Sequence, residues 1–163
     1  MNKVILILIW LILTIPSCSR EINWKVYWSE YSKYSQSIQK WSNHYGLDTN
    51  IVKALISWES GWTPKARGMP HSCRGLMQVN GGSFDPDKNI KSGCSILKRN
   101  LILFGYDYYK ALIGYNAGSG KAKGIIKSGK KWNYSVQILR IAYTLSKLDH
   151  RLISLYQNKR GLI

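Results

Sequence analysis

"ALISWESGWTP", residues 54–64, sets one glutamate, Glu59, among Leu55, Ile56, Trp58 and Trp62. Stepping back from Glu59 by threes and fours reaches Ile56, Leu55 and Val52. The carboxyl therefore continues the apolar stripe of a helix and not its polar face. Two effects disfavour its charged form there. Burial costs a carboxylate its hydration, and the helix C-terminus carries partial negative charge. Both raise the pKa, which is what a general acid working near neutral pH requires. A glutamate snorkelling at a helix end, or neutralised by a lysine, has the same spacing. Periodicity alone leaves these readings level.

The pattern extends outward from this helix. "YGLD" (45–48) supplies a turn with Asp48 as N-cap, and Gly61 ends the helix. Upstream, Trp24, Trp28, Tyr31, Ile38, Trp41 and Tyr45 recur at helical intervals. They predict an amphipathic helix whose aromatic stripe packs on the domain, or alternatively docks to a membrane or glycan. Downstream, Thr63–Phe84 is rich in Gly, Pro and Ser and reads as a long irregular segment, a length usually reserved for function. "DPDKNI" (85–90) opens a helix ending near Gly105, and Tyr109–Asn116 forms a short one. "NAGSGKAKGIIKSG" (116–129) reads as turn, short helix, turn. Trp132–Lys147 is a further helix, with Val136, Leu139, Ile141, Tyr143 and Leu145 as its apolar positions, followed by a basic tail, residues 148–163. No segment combines strand alternation with hairpin signals. The expectation is a mainly α, single-domain protein.

Composition bounds the partners. The 163 residues are 45% hydrophobic, enough for one domain with a real core and too apolar for disorder. Lys plus Arg number 24 against 8 Asp plus Glu, a net charge of +16, which points to an anionic partner: nucleic acid, membrane surface or acidic polymer. The N-terminus narrows this. Lys3 precedes an almost wholly apolar run, Val4–Ile15, the length of a secretory h-region and too short to span a bilayer comfortably. "IPSC" (15–18) is similar to a lipoprotein signal, with Cys18 lipidated as the new N-terminus; cleavage after Ser19 is the alternative. Export to the periplasm or cell envelope makes nucleic acid a poor candidate. It also leaves Cys73 and Cys94 as a pair, expected to form a disulfide in an oxidising compartment and contribute on the order of 3 kcal/mol. Two buried thiols are the alternative. No metal-ligand spacing is present, and no cofactor is expected.

The acids sharpen the reading of Glu59. Glu21 and Glu30 lie in the N-terminal extension; Asp48, Asp85 and Asp87 sit at turn and cap positions; Asp107 and Asp149 read as solvent-facing. An ordinary glycosidase sets two carboxylates across the scissile bond, and only one strong candidate is visible. At this point "ISWESGW" (56–62), "GLMQVN" (75–80) and "GYNAGSG" (114–120) resemble, in order and approximate spacing, the three motifs of the lytic transglycosylase catalytic domain, of the soluble lytic transglycosylase family. "NYSVQIL" (133–139) fits a flanking pattern. The resemblance implies a goose-type-lysozyme-like domain of short helices around a substrate cleft over residues 37–147. It would be preceded by an export signal (1–18) and a helical extension (19–36).

The resemblance also implies a chemistry. The family cleaves the β-1,4 bond between N-acetylmuramic acid and N-acetylglucosamine of peptidoglycan. One glutamate protonates the glycosidic oxygen, then acts as base toward the sugar's own 6-hydroxyl, leaving a 1,6-anhydro product. Glu59 matches that acid/base. Ser60 matches a serine near the N-acetyl group, though by itself it reads equally as a helix-end polar residue. Met77 and Gln78 match cleft-lining residues; Met77 alone would read as core. Tyr115 and Asn116 match the third motif, and Tyr134 a tyrosine near the glutamate. Three departures stand out: the loop "KARGMPHSCRG" (65–75), Gly114 in place of alanine, and Lys130-Lys131 where the family often has Glu-Thr. His71 in that loop reads as an exposed histidine. Peptidoglycan strands are the expected partner, with an anionic wall polymer, membrane surface or secretion machinery as further ones. A hydrolytic muramidase, drawing a second acid from Asp85 or Asp87, and a non-catalytic basic wall- or membrane-binding protein are the rival readings.

Overall fold

The computed structural model of the chain describes residues 24–69 and 72–159. Residues 1–18, expected to be an export signal with Cys18, lie outside them, together with Glu21, His71 and the side chains of Trp24 and Trp28. The described elements, in order, are α1 (Trp24–Tyr45), α2 (Thr49–Glu59), β1 (Cys73–Arg74), β2 (Val79–Asn80), α3 (Pro86–Leu103), α4 (Tyr108–Ala117), α5 (Ser119–Lys127) and α6 (Asn133–Lys159). The fold is mainly α, as expected. Among the described residues no helix is long and apolar enough to cross a membrane.

Local chemistry sets the boundaries. Asp48 caps α2 by accepting from Asn50 N at 2.7 Å. Asp85 caps α3 by accepting from Lys88 N at 2.9 Å, with Pro86 in the first turn, where its missing N–H costs nothing. Asp107 caps α4 through Lys110 N at 3.1 Å.

Helix α2 is the centre of the molecule, packed against α1 on one side and α6 on another. Six successive residues, Ile51–Ile56, are buried, so the helix is enclosed all round at that level. Lys53 is one of them. Its ammonium lies 3.2 Å from Asp149 Oδ2 on α6 and 4.8 Å from the Tyr31 ring centroid, which compensates a charge that burial would otherwise make costly. Asp149, read as solvent-facing, does keep its side chain 39% exposed, but it lies within a helix and serves as an ion-pair partner.

The α1 stripe is formed by Tyr27, Ile38 and Trp41, buried, with Tyr31, Tyr34 and Tyr45 beside them. Tyr27 stacks on Tyr31 with centroids 5.6 Å apart and meets Trp62 edge-on at 5.4 Å. The aromatic helix is therefore built into the core. α1 runs unbroken through the expected domain start at 37, and α6 runs on past 147.

The segment expected to be irregular contains a small antiparallel pair, Cys73 opposite Asn80 and Arg74 opposite Val79. Two-residue strands leave no alternation to detect. Cys73 and Cys94 are free thiols, so the disulfide expected from the compartment is not formed. Cys94 is fully buried on α3, and burial pushes its thiol up to about 12. The tie between this segment and α3 is Asn89 instead. Its Oδ1 accepts from Met77 N at 2.8 Å, and its Nδ2 donates to Arg74 O at 2.8 Å and Ser83 O at 2.9 Å. Gly75, at φ +77°, has no room for a Cβ, which would fall 2.5 Å from the Asn89 amide.

Candidate active site

Glu59 is the last residue of α2 and opens onto a cleft of about 470 Å³. The cleft walls come from the β1–β2 segment (Gly68, Cys73, Gln78), from Ile96 on α3, and from Tyr115 and Asn116 at the end of α4. The three sequence motifs thus converge on one cavity.

Glu59 is largely withdrawn from water, and desolvation raises its pKa; a hydrogen bond from the Tyr134 hydroxyl to its Oε1 acts the other way. No described lysine or arginine forms an ion pair with it. That removes the neutralised-glutamate reading that spacing alone left open. Tyr134 comes from the first turn of α6 and meets the Trp58 ring edge-on at 6.3 Å. Burial, then the Glu59 charge, raise the Tyr134 phenol well above its ordinary range, so it stays a donor.

The other described carboxylates are engaged away from the cleft. Asp48, Asp85 and Asp107 are helix caps, Glu30 pairs with Lys33 at 2.6 Å, and Asp149 pairs with Lys53. Asp87 accepts from Ser37 Oγ at 2.8 Å and Trp41 Nε1 at 2.9 Å. Neither Asp85 nor Asp87 lines the cleft, so neither stands opposite Glu59.

The remaining motif residues divide by where their side chains go. Gln78 lines the cleft at φ +46°, its amide donating to Gly75 O at 2.7 Å and Ala66 O at 3.2 Å. Its carbonyl oxygen sits where a Cβ on Gly68 would come within 2.3 Å, so a side chain at 68 would have to displace the Gln78 amide. Tyr115 donates to the Met77 carbonyl at 2.7 Å, joining the second and third motifs directly. Met77 does not line the cleft: its side chain is fully buried against Gly93, where a Cβ would lie 2.5 Å from Sδ. Ser60 caps α2, its Oγ donating back to Ile56 O at 3.2 Å. Asn116 lines the cleft and accepts from Trp132 Nε1 at 3.2 Å.

Gly114 also finds its reason here. A Cβ at 114 would lie 2.1 Å from Asn100 Oδ1 and 2.8 Å from Phe104 Cε2, so in this chain the position has no room for alanine unless those side chains shift. Sequence reasoning missed Asn89, Gly68 and Ile96. A polar residue buried on the inner face of α3 was the available sign for Asn89; the other two carry none.

A cleft between short helices, with one desolvated glutamate at the end of a central helix, defines the lysozyme-like class. The chain belongs to the transglycosylase SLT domain family, which it matches over residues 36–84 and 81–138. It is 30% identical over 91 residues to a transglycosylase of Enterobacteria phage PRD1, covering 50% of this chain and 33% of that protein. It is 30% identical over 114 residues to membrane-bound lytic murein transglycosylase C of Actinobacillus succinogenes, covering 54% and 32%. The chain thus spans about a third of the length of these relatives. An inactive mutant of lytic transglycosylase Slt from Pseudomonas aeruginosa superposes with a TM-score of 0.62 at 20% identity, over 71% of this chain and 24% of that one.

Proposed function

We propose that the protein is a peptidoglycan lytic transglycosylase acting at the cell envelope, with Glu59 as its acid and base. The observation that supports this most is Glu59's solitude: among the described carboxylates it alone lines the cleft, and burial favours its protonated form. A reaction with a single carboxyl suits that arrangement. Tyr134 donates to Oε1, which leaves the other oxygen to carry the proton toward the glycosidic oxygen. As the C1–O bond breaks, the proton moves to the leaving sugar. The muramic N-acetyl group stabilises the positive charge developing at C1, and the Glu59 carboxylate then takes the proton of the 6-hydroxyl as that oxygen closes on C1. Gln78, Tyr115 and Asn116 would position the sugars; Met77 and Ser60 would hold the frame. Residues 1–18 would direct export, with Cys18 as the lipidation site, and residues 37–147 would form the catalytic unit.

Digestion of purified peptidoglycan with wild type and Glu59→Gln, followed by mass analysis, tests this reading. Anhydro-muramic ends are expected from the wild type, with a loss of roughly 10²–10⁴-fold in the variant. Reducing ends bearing a water oxygen would identify a hydrolase, unchanged digestion by the variant would rule out Glu59 as the acid, and no cleavage by the wild type would identify a non-catalytic wall-binding protein.

A further inference from the structure

A second groove, about 590 Å³, runs along the outer face of α3 beside Tyr45. Lys88, Lys91, Ser92, Ser95 and Arg99 recur along it at helical spacing and form one basic, hydroxyl-bearing face. Ile96 lines this groove and also the cleft that holds Glu59, so the two cavities share a wall. Among the described residues no carboxylate lines the groove. The nearest acids are committed elsewhere. Asp85 caps α3, and Asp87 bonds Ser37 and Trp41, its carboxyl held low first by those two bonds and then by Lys40 and Lys91. Lys91 lies 4.9 Å over the Trp41 ring. Lys88 and Arg99 make no ion pair with a carboxylate among the described residues.

We propose that this groove is a subsite for the carboxylates of the peptide stems carried by the glycan strand, an inference that rests on the peptidoglycan reading. The sugars of such a strand are neutral. Its negative charges lie on the peptides attached to every second sugar. A strand seated at Glu59 would carry its neighbouring stem past Ile96 to a face with cations and hydroxyl donors in reach. An anionic polymer or lipid headgroup would be drawn to the whole +16 surface, with no reason to prefer a groove that shares a wall with the cleft.

Binding, which needs no turnover, tests the proposal. In Glu59→Gln protein, affinities are measured for peptide-bearing strands, for strands stripped of their stems, for a phosphate polymer and for anionic vesicles, with and without Lys88→Gln/Arg99→Gln. The double change is expected to weaken peptide-bearing strands roughly tenfold, as for two exposed charge pairs, and to leave stripped strands unchanged. Lys88→Arg/Arg99→Lys restores the affinity, and either single change gives part of the loss should the double variant melt early. Equal loss on both strands, no loss, or a loss confined to phosphate polymers or anionic vesicles overturns the proposal. The lytic reading stands or falls separately, on whether wild type yields anhydro ends from either strand.

Discussion

The hydroxyl of Tyr134 and the burial of Glu59 pull the Glu59 carboxyl in opposite directions. The proposed acid step needs Glu59 protonated, so kcat/KM should fall as pH rises through its pKa. Tyr134→Phe removes the interaction that favours the carboxylate, so the alkaline limb of the pH–kcat/KM profile should move to higher pH. A shift to lower pH would contradict the arrangement. Packing around Gly114 makes a second prediction. Gly114→Ala drives a methyl into Asn100 and Phe104 and should cost about 1–3 kcal/mol in denaturant unfolding. Asn100→Ala in the same chain should recover part of that cost. Alanine being tolerated at 114 with Asn100 intact would mean that α3 yields more readily than its packing suggests.

Between elements, the Lys53–Asp149 pair ties the helix that carries Glu59 to the helix that carries Tyr134. Asp149→Asn removes the negative charge beside a buried ammonium and leaves it a neutral amide and the Tyr31 ring. It should destabilise by about 1–3 kcal/mol, less than a fully buried pair because Asp149 is 39% exposed. Lys53→Met should be closer to neutral, since an apolar chain of similar length fills the same space. Equal losses from both, measured by urea unfolding, would argue against the pair. Most of these elements were legible beforehand: the α2 stripe, its Asp48 cap and the Asp85-Pro86 start of α3 are local signals. The Lys53 pairing was not, because its partner is 96 residues away and a lysine within an apolar run carries no sign of what it meets. Met77 misled for the opposite reason. Its motif sits at the cleft, but there its backbone carbonyl is used and its side chain is packed. The thiols misled because compartment, not geometry, was the only argument for joining them.

On the scale of the whole molecule, 24 cations against 8 acids produce an attraction that does not depend on the cleft. Retention on isolated cell walls should weaken steadily between low and roughly molar salt, where screening shortens to about 3 Å. Glu59→Gln should follow the same curve as wild type. A salt-independent retention would point to specific contacts instead. The sign of this charge was readable from composition alone. Its distribution was not, since the α3 face acquires meaning only once Ile96 is seen to separate it from the cleft.

Asn89 holds the second-motif segment from a helix outside it, which makes the rim of the cleft a serviceable attachment point. Met69 lines the cleft and is 81% exposed, and its side chain enters none of the Asn89 contacts. A fluorophore coupled there would report the arrival of a glycan strand in real time, in a protein whose anchoring amide is left untouched.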